Sequence, residues 1–299
     1  MKDLKEFIKE KLKEEKLFIF GFTDPKVEER DIFSFKEWIK NKYHADMKWM
    51  ENTFEKRISP LKVFETVKTI LVVALPYKKI FFEKYKIAGY ALHVDYHKFL
   101  YKKLKRVIEK VKEKFLGVEY KIYVDTGPIL ERMFARKAGI GFIGKNTMLI
   151  SFKKGSYLLL GTVLLNKEIE PDKSIDKNFC GKCTRCIEAC PTGAIVKPFV
   201  IDSNRCISYH TIENKGDIPE EIKLRMNSYI FGCDICQEVC PWNKNPVEPV
   251  DFPLHPYVKN FDPEDFQKNP EKYLKNSPLK RAKIKGLIRN INLVKYQEV

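Results

Sequence analysis

Leu4, Phe7, Ile8 and Leu12 recur at helical spacing, and the pattern then changes to continuous apolar runs, LFIFGF (17 to 22) and TILVVAL (69 to 75), which predict strands. Helices and strands therefore mix from the outset. Between Tyr96 and Phe115, Phe99, Leu100, Leu104, Val107, Ile108 and Val111 share one face and eight Lys or Arg lie elsewhere. This predicts a long amphipathic helix with a solvated basic face. A strand at EYKIYV (119 to 124), a turn from Asp125 to Pro128, a helix through Lys137 and strands around TMLISF and SYLLLGTVLL follow. The polar stretch 166 to 178 and the Pro-rich NPVEPVDFPLHP (245 to 256) read as boundaries, dividing the chain into 1–170, 171–246 and a short, basic, helical tail at 247–299.

All eight cysteines fall between residues 180 and 240, as CGKCTRCIEACP, a lone Cys206, and CDICQEVCP. Three thiolates within seven residues wrap one face of a cubane, and a Cys followed by Pro turns away to the neighbouring cluster, as in two-cluster ferredoxins. Cys180, Cys183, Cys186 and Cys240 are thus expected to hold one [4Fe-4S] cluster, and Cys190, Cys206, Cys233 and Cys236 the other. Zinc favours two Cys-x2-Cys pairs separated by a longer loop over a compact triple. A disulfide framework is not needed by a 299-residue chain able to build its own core.

Composition adds a direction. The N-terminus is charged throughout, and no apolar stretch approaches the roughly 20 residues of a bilayer span, so a cytoplasmic protein without membrane contact is expected. Fifty-six Lys and Arg against 40 Asp and Glu give +16. Two oxidised clusters at about −2 each leave roughly +12. Nucleic acid is the expected partner, against the plainer reading of a heat-adapted surface rich in both Lys and Glu.

Three motifs have competing readings. GIGFIGKNT (139 to 147) matches a Gly-x-Gly-x-x-Gly pattern, but a helix precedes it and a strand follows, the reverse of a dinucleotide turn, and Asn146 stands where a phosphate loop needs Ser or Thr. Its glycines mark a close approach to a packed strand or to a ligand. Asp125 in VDTGPILER is either a cleft carboxylate or, as the residues alone favour, the cap of the next helix. His97 in DYH begins like the Asp-x-His-x-x-Gly motif that ligates corrinoid cobalt, but position 100 is Leu. It reads as an ordinary residue on the first helical turn.

Taken in one order, VDTGPILER, AGIGFIGKNT, the cysteine module, CISYHTIE (206 to 213) and GCDICQEVCPWN (232 to 243) resemble the epoxyqueuosine reductase family over residues 55 to 292. The resemblance implies an α+β fold: a nitroreductase-like, cobalamin-binding catalytic domain, then a ferredoxin-like two-[4Fe-4S] domain capping the corrin, then the helical tail. It implies reduction of epoxyqueuosine to queuosine at the wobble base of tRNAs for Tyr, His, Asn and Asp, with cob(I)alamin opening the epoxide and an unidentified donor feeding the clusters. The family's proton donor carries over to Asp125, which overrides the capping role and calls for a raised pKa. Arg57, Lys145, Asn146, Thr147, Ser208, Asp234 and Gln237 carry over as cofactor contacts, and Arg132 and Tyr209 as contacts to the modified base or tRNA. No protein histidine is expected below cobalt, and a monomer is expected. Many members continue into helical repeats beyond the segment matching SPLKRAKIKGLIRN, whereas this chain stops at Val299, which leaves tRNA recognition to the main body and the basic tail.

Two rivals remain at this point. A ferredoxin-like electron carrier accounts for the cysteines but not for about 175 residues upstream of them. A corrinoid reductive dehalogenase shares both cofactors but is typically exported with a twin-arginine signal, which is not seen here.

Overall fold

The computed structural model describes residues 2–80, 84–244 and 251–296; positions 245–250 of the expected second boundary, and the terminal residues 297–299, lie outside the described residues. A mixed architecture of helix and sheet is built around a four-stranded sheet of β1 (Ile19–Thr23), β2 (Thr69–Pro76), β3 (Tyr120–Tyr123) and β4 (Leu158–Leu165). The strands lie in the order β1-β2-β4-β3, every neighbouring pair antiparallel. Alternation along β2 sends Leu71, Val73 and Leu75 to one face and Ile70, Val72 and Ala74 to the other. Helices α1 (Lys2–Glu14) and α2 (Tyr96–Lys114) cover the first face, and α3 (Glu131–Lys137) covers the second with Met133, Phe134 and Ala135. Both faces are dry, which is why TILVVAL reads as an unbroken apolar run even though its sheet is antiparallel.

Two expectations change here. The basic face of α2 is not simply solvated. Lys103 is buried, with its Nζ donating to Glu15 O at 2.7 Å, and Arg106 pairs with Glu15 at 2.6 Å, so part of that face straps α1 down. Nor is the close approach at the glycine block a ligand site at Gly141: a Cβ there would lie 2.3 Å from Ile150 O, across the small hairpin of Phe142–Ile143 and Leu149–Ile150.

The C-terminal segment is not a loose tail. A separate core joins Ile87, Ala91 and Leu92 from the first half, Ile230 and Phe231 from the cysteine module, and Val258, Phe266, Leu279, Leu287, Ile291 and Val294 from the last stretch. The strand Tyr229–Phe231 pairs in parallel with Lys86–Ile87, and helix α4 (Lys283–Tyr296) lies against it. Buried Asn290 donates to the carbonyls of Thr211 at 2.9 Å and Ile230 at 2.8 Å, the sort of fully satisfied polar bridge that fixes one docking register. Arg289 likewise donates to His210 O at 2.7 Å and Asn214 O at 3.1 Å. Leu287→Ala is therefore expected to cost about 2–5 kcal/mol, read as a lowered midpoint of denaturant unfolding. An unchanged midpoint would mean that α4 adds nothing to the core.

Candidate active site

The eight cysteines are all free thiols, and they fall into two quartets. Burial pushes the Cys186 thiol up, and Cys180, Cys240 and Cys183 add to it; Cys240 responds to burial and to Cys180 and Cys183. In the other group, burial raises Cys206, Cys233 and Cys236, each also feeling Cys190. The quartets are unequally placed. Residues around Cys180 and Cys183 are exposed, whereas desolvation dominates at Cys206, Cys233 and Cys236. Backbone N–H groups already aim at sulfur: Ala194 N donates to Cys190 Sγ at 3.2 Å, and the amides of Ser208 and Tyr209, Ile235 and Trp242 donate to Cys206, Cys233 and Cys240. Donors of this kind stabilise thiolate over thiol and tune cluster potential.

A seam of buried polar side chains joins the cysteine module to the sheet half. Asp234 accepts from Gly89 N at 2.7 Å and from Gln237 Nε2 at 3.0 Å, and burial pushes its carboxyl up to about 6. Gln237 accepts from Ser156 Oγ at 2.9 Å. Asn146 Nδ2 donates to Cys236 O at 3.2 Å, and Lys145 Nζ donates to the carbonyls of Gly181 and Cys183, both at 2.8 Å. Asp234, Gln237 and Asn146 are at most 5% exposed, so these expected cofactor contacts are engaged in holding two halves together. Tyr209 is also buried; its hydroxyl donates to Asp46 Oδ2 at 3.1 Å and accepts from Asp46 N at 3.2 Å.

Around Asp125 the picture differs. Its backbone is left-handed, at φ 63°, and its side chain is 61% accessible, yet desolvation is the strongest influence on its carboxyl. Arg132 combines the same two properties. Groups that water reaches but protein walls in line a concave cleft. Glu131, whose Oε1 accepts from Asp125 N at 3.1 Å, is pushed up to about 8 by desolvation and by the nearby Asp125 charge. Buried Arg57, held by Thr53 Oγ1 at 2.9 Å, faces Glu131 and Asp125 electrostatically, and Arg132 donates to Thr147 O and Oγ1. Arg57, Arg132 and Thr147 thus meet at this cleft, while Ser208 sits by Cys206.

Sequence reasoning misjudged two residues here. Asp125 does not cap α3, whose N-cap is Leu130, so the capping alternative falls. His97 is not an ordinary helical residue: its Nδ1 lies 2.8 Å from Asp95 Oδ1 and its Nε2 lies 3.3 Å from Asp125 Oδ2. Two carboxylates on two ring nitrogens require a proton on each, and the imidazole is raised to about 9 despite the opposing effect of burial. The expected upward shift of Asp125 is overturned for the same reason. Desolvation pushes the carboxyl up, but His97, the Tyr96 hydroxyl and Arg281 bring it below its ordinary value. Asp-x-His at a helix start, where Asp95 also accepts from His97 N at 3.1 Å, was the available signal.

A family model for a 4Fe-4S double cluster binding domain matches residues 179–243, and one described as epoxyqueuosine reductase QueG, DUF1730, matches residues 57–126. An epoxyqueuosine reductase of Cyclobacterium marinum is 38% identical over 285 residues, 93% of this chain and 92% of its own length. A solved selenomethionine-labelled epoxyqueuosine reductase superposes with a TM-score of 0.84 at 28% identity, over 98% of this chain and 81% of that one. Another, solved with a tRNA-Tyr epoxyqueuosine-modified stem loop, gives 0.82 at 28% identity, over 98% and 80%. Likeness along nearly the whole length, in sequence and in backbone alike, means that the chain belongs to the epoxyqueuosine reductase family.

Proposed function

We propose that this protein reduces epoxyqueuosine to queuosine at the wobble position of tRNA, with Asp125 as the acid, two [4Fe-4S] clusters as the electron path and cobalamin in the cleft below Asp125. The observation that carries this reading is the placement of Asp125, an accessible carboxylate on strained backbone over a walled cleft. The residues present fit a corrin. Arg57, Arg132 and Thr147 would hold the group from the Asp125 side, and Asn146, Asp234 and Gln237, in the seam beside the inner thiols, would hold it from the cysteine module. The bound corrin supplies a nucleophile that clusters alone lack. This chain's own residues orient the base, exclude water and hold the proton. Both nitrogens of His97 are engaged by carboxylates, so His97 would not be free to hold the corrin.

The two units read as a nitroreductase-like catalytic domain and a ferredoxin-like cluster domain, with the described part of the C-terminal segment, 251–296, packed against both. A formal net charge of +16 for the chain, roughly +12 with two clusters bound, supports tRNA binding; tRNAs for Tyr, His, Asn and Asp as substrates, a cytoplasmic location and a monomeric state belong to the same reading. Lys280 and Arg281 are tied to Asp95 and Glu213, so those two cations of the tail serve the active-site rim before they serve RNA.

Two measurements test the assignment. Anaerobically purified protein is expected to hold about eight irons, and Cys240→Ala to damage the cluster of Cys180, Cys183 and Cys186 while Cys190→Ala damages the other. Loss of the opposite cluster in each variant, read by iron content and paramagnetic resonance, would reverse the pairing. Asp125→Asn is expected to keep clusters and cobalamin but to slow epoxyqueuosine reduction by about 10² to 10⁴-fold with a chemical reductant, followed by nucleoside mass spectrometry. Asn tolerates left-handed backbone almost as well as Asp, so near-normal turnover would remove Asp125 as the acid.

A further inference from the structure

Epoxide deoxygenation consumes two electrons and two protons and releases water, so one carboxyl that starts ionised cannot complete it unaided. The groups behind Asp125 form a continuous chain. Lys280 Nζ donates to Asp95 Oδ2, whose side chain is fully enclosed; Asp95 Oδ1 accepts from His97 Nδ1 at 2.8 Å; and His97 Nε2 donates to Asp125 Oδ2 at 3.3 Å. The ring of Tyr96 stacks on His97 with centroids 4.0 Å apart and fixes its plane. The His97 side chain keeps 28% of its surface, so it also touches solvent.

We propose that His97 is the proton carrier that loads Asp125, once for each proton the reaction consumes, and that Asp95 and Lys280 hold it in place. This rests on the reading above. Each proton moves from His97 Nε2 to the Asp125 carboxyl and from there to the substrate oxygen, which first opens to a hydroxyl and then leaves as water. Both electrons arrive through the clusters from an external one-electron donor, and His97 regains its proton from solvent. His97 acts through Asp125 and is a positioning residue. The charged and titratable groups that face the pair are Asp95, Tyr96 and Tyr90 from their own stretch of chain, Arg57, Glu131 and Arg132 across the cleft, and Lys280 and Arg281 from the C-terminal segment. Asp95 is held well below the usual carboxylate range by His97 and Lys280 against its burial, so it stays ionised and keeps His97 charged.

The test uses holoprotein, epoxyqueuosine-containing tRNA and a chemical reductant in single turnover across pH. Wild type is expected to lose activity as pH rises through about 9, where His97 loses its proton. His97→Ala and His97→Gln are expected to turn over about 10²-fold more slowly, with that alkaline limb gone and with cobalamin and tRNA binding unchanged. Added imidazole is expected to restore His97→Ala. Independently of activity, the His97 titration followed by NMR is expected to fall from about 9 in wild type toward 6.5 in Asp125→Asn, as one carboxylate partner is lost. Variants within twofold of wild type with the same alkaline limb, or a His97 titration indifferent to Asp125→Asn, would overturn the relay while leaving the assigned reaction intact. A wild-type protein inactive on this tRNA would instead remove the reaction itself.

Discussion

Eight thiols gathered between residues 180 and 240 are the constraint on which the structure turns. The module that carries them has a small core of its own, Ile207, Tyr229 and Ile235, too little to hold a loop-rich segment in shape. Burial and mutual repulsion push Cys186, Cys233 and Cys236 toward the neutral form, a tendency that bound iron and the backbone amides aimed at sulfur oppose. What remains of its rigidity is borrowed. Asp234, Gln237 and Asn146 lock it to the sheet half, and Ile230 and Phe231 lean on the C-terminal helix.

That borrowing explains which residues were legible in the sequence. Strand β2, helices α1 and α2, and the cysteine grouping were readable because each depends on a local pattern: a short unbroken apolar run, period 3.6, or thiols at fixed offsets. Asp234 and Gln237 were picked out as residues of consequence between cluster ligands, but the sequence had no way to show that Gly89 and Ser156, some 80 to 145 residues distant, would consume their hydrogen bonds. The C-terminal segment reads as basic and helical, as found, but its packing was hidden for a related reason. Its Lys and Arg stand out in composition, while the apolar stripe of Leu287, Ile291 and Val294 that places it in a core is no stronger than that of a surface helix.

The Asp125 site shows how two opposed influences settle a charge. Desolvation is the largest influence on both Asp125 and Glu131, and with the Asp125 charge it carries Glu131 up to about 8. At Asp125 the His97 imidazolium, the Tyr96 hydroxyl and Arg281 together outweigh it. Two acids of one short motif, VDTGPILER, are thus pushed in opposite directions, and the foremost opposing influence at Asp125 is a histidine 28 residues earlier in the chain. Paired groups with pKa values driven apart are what acid–base chemistry near neutral pH requires.

The strap formed by Lys280 and Arg281 has a consequence for assembly. Chains fold from the N-terminus as they are synthesised, so the sheet, the cleft and all eight thiols emerge before the segment that braces Asp95 and covers Ile230 and Phe231. Lys280 and Arg281 thus make the enclosure of Asp95 and the fixing of Glu213 depend on the same segment that covers Ile230 and Phe231, so a change that loosens this distant core also loosens the rim beside Asp125.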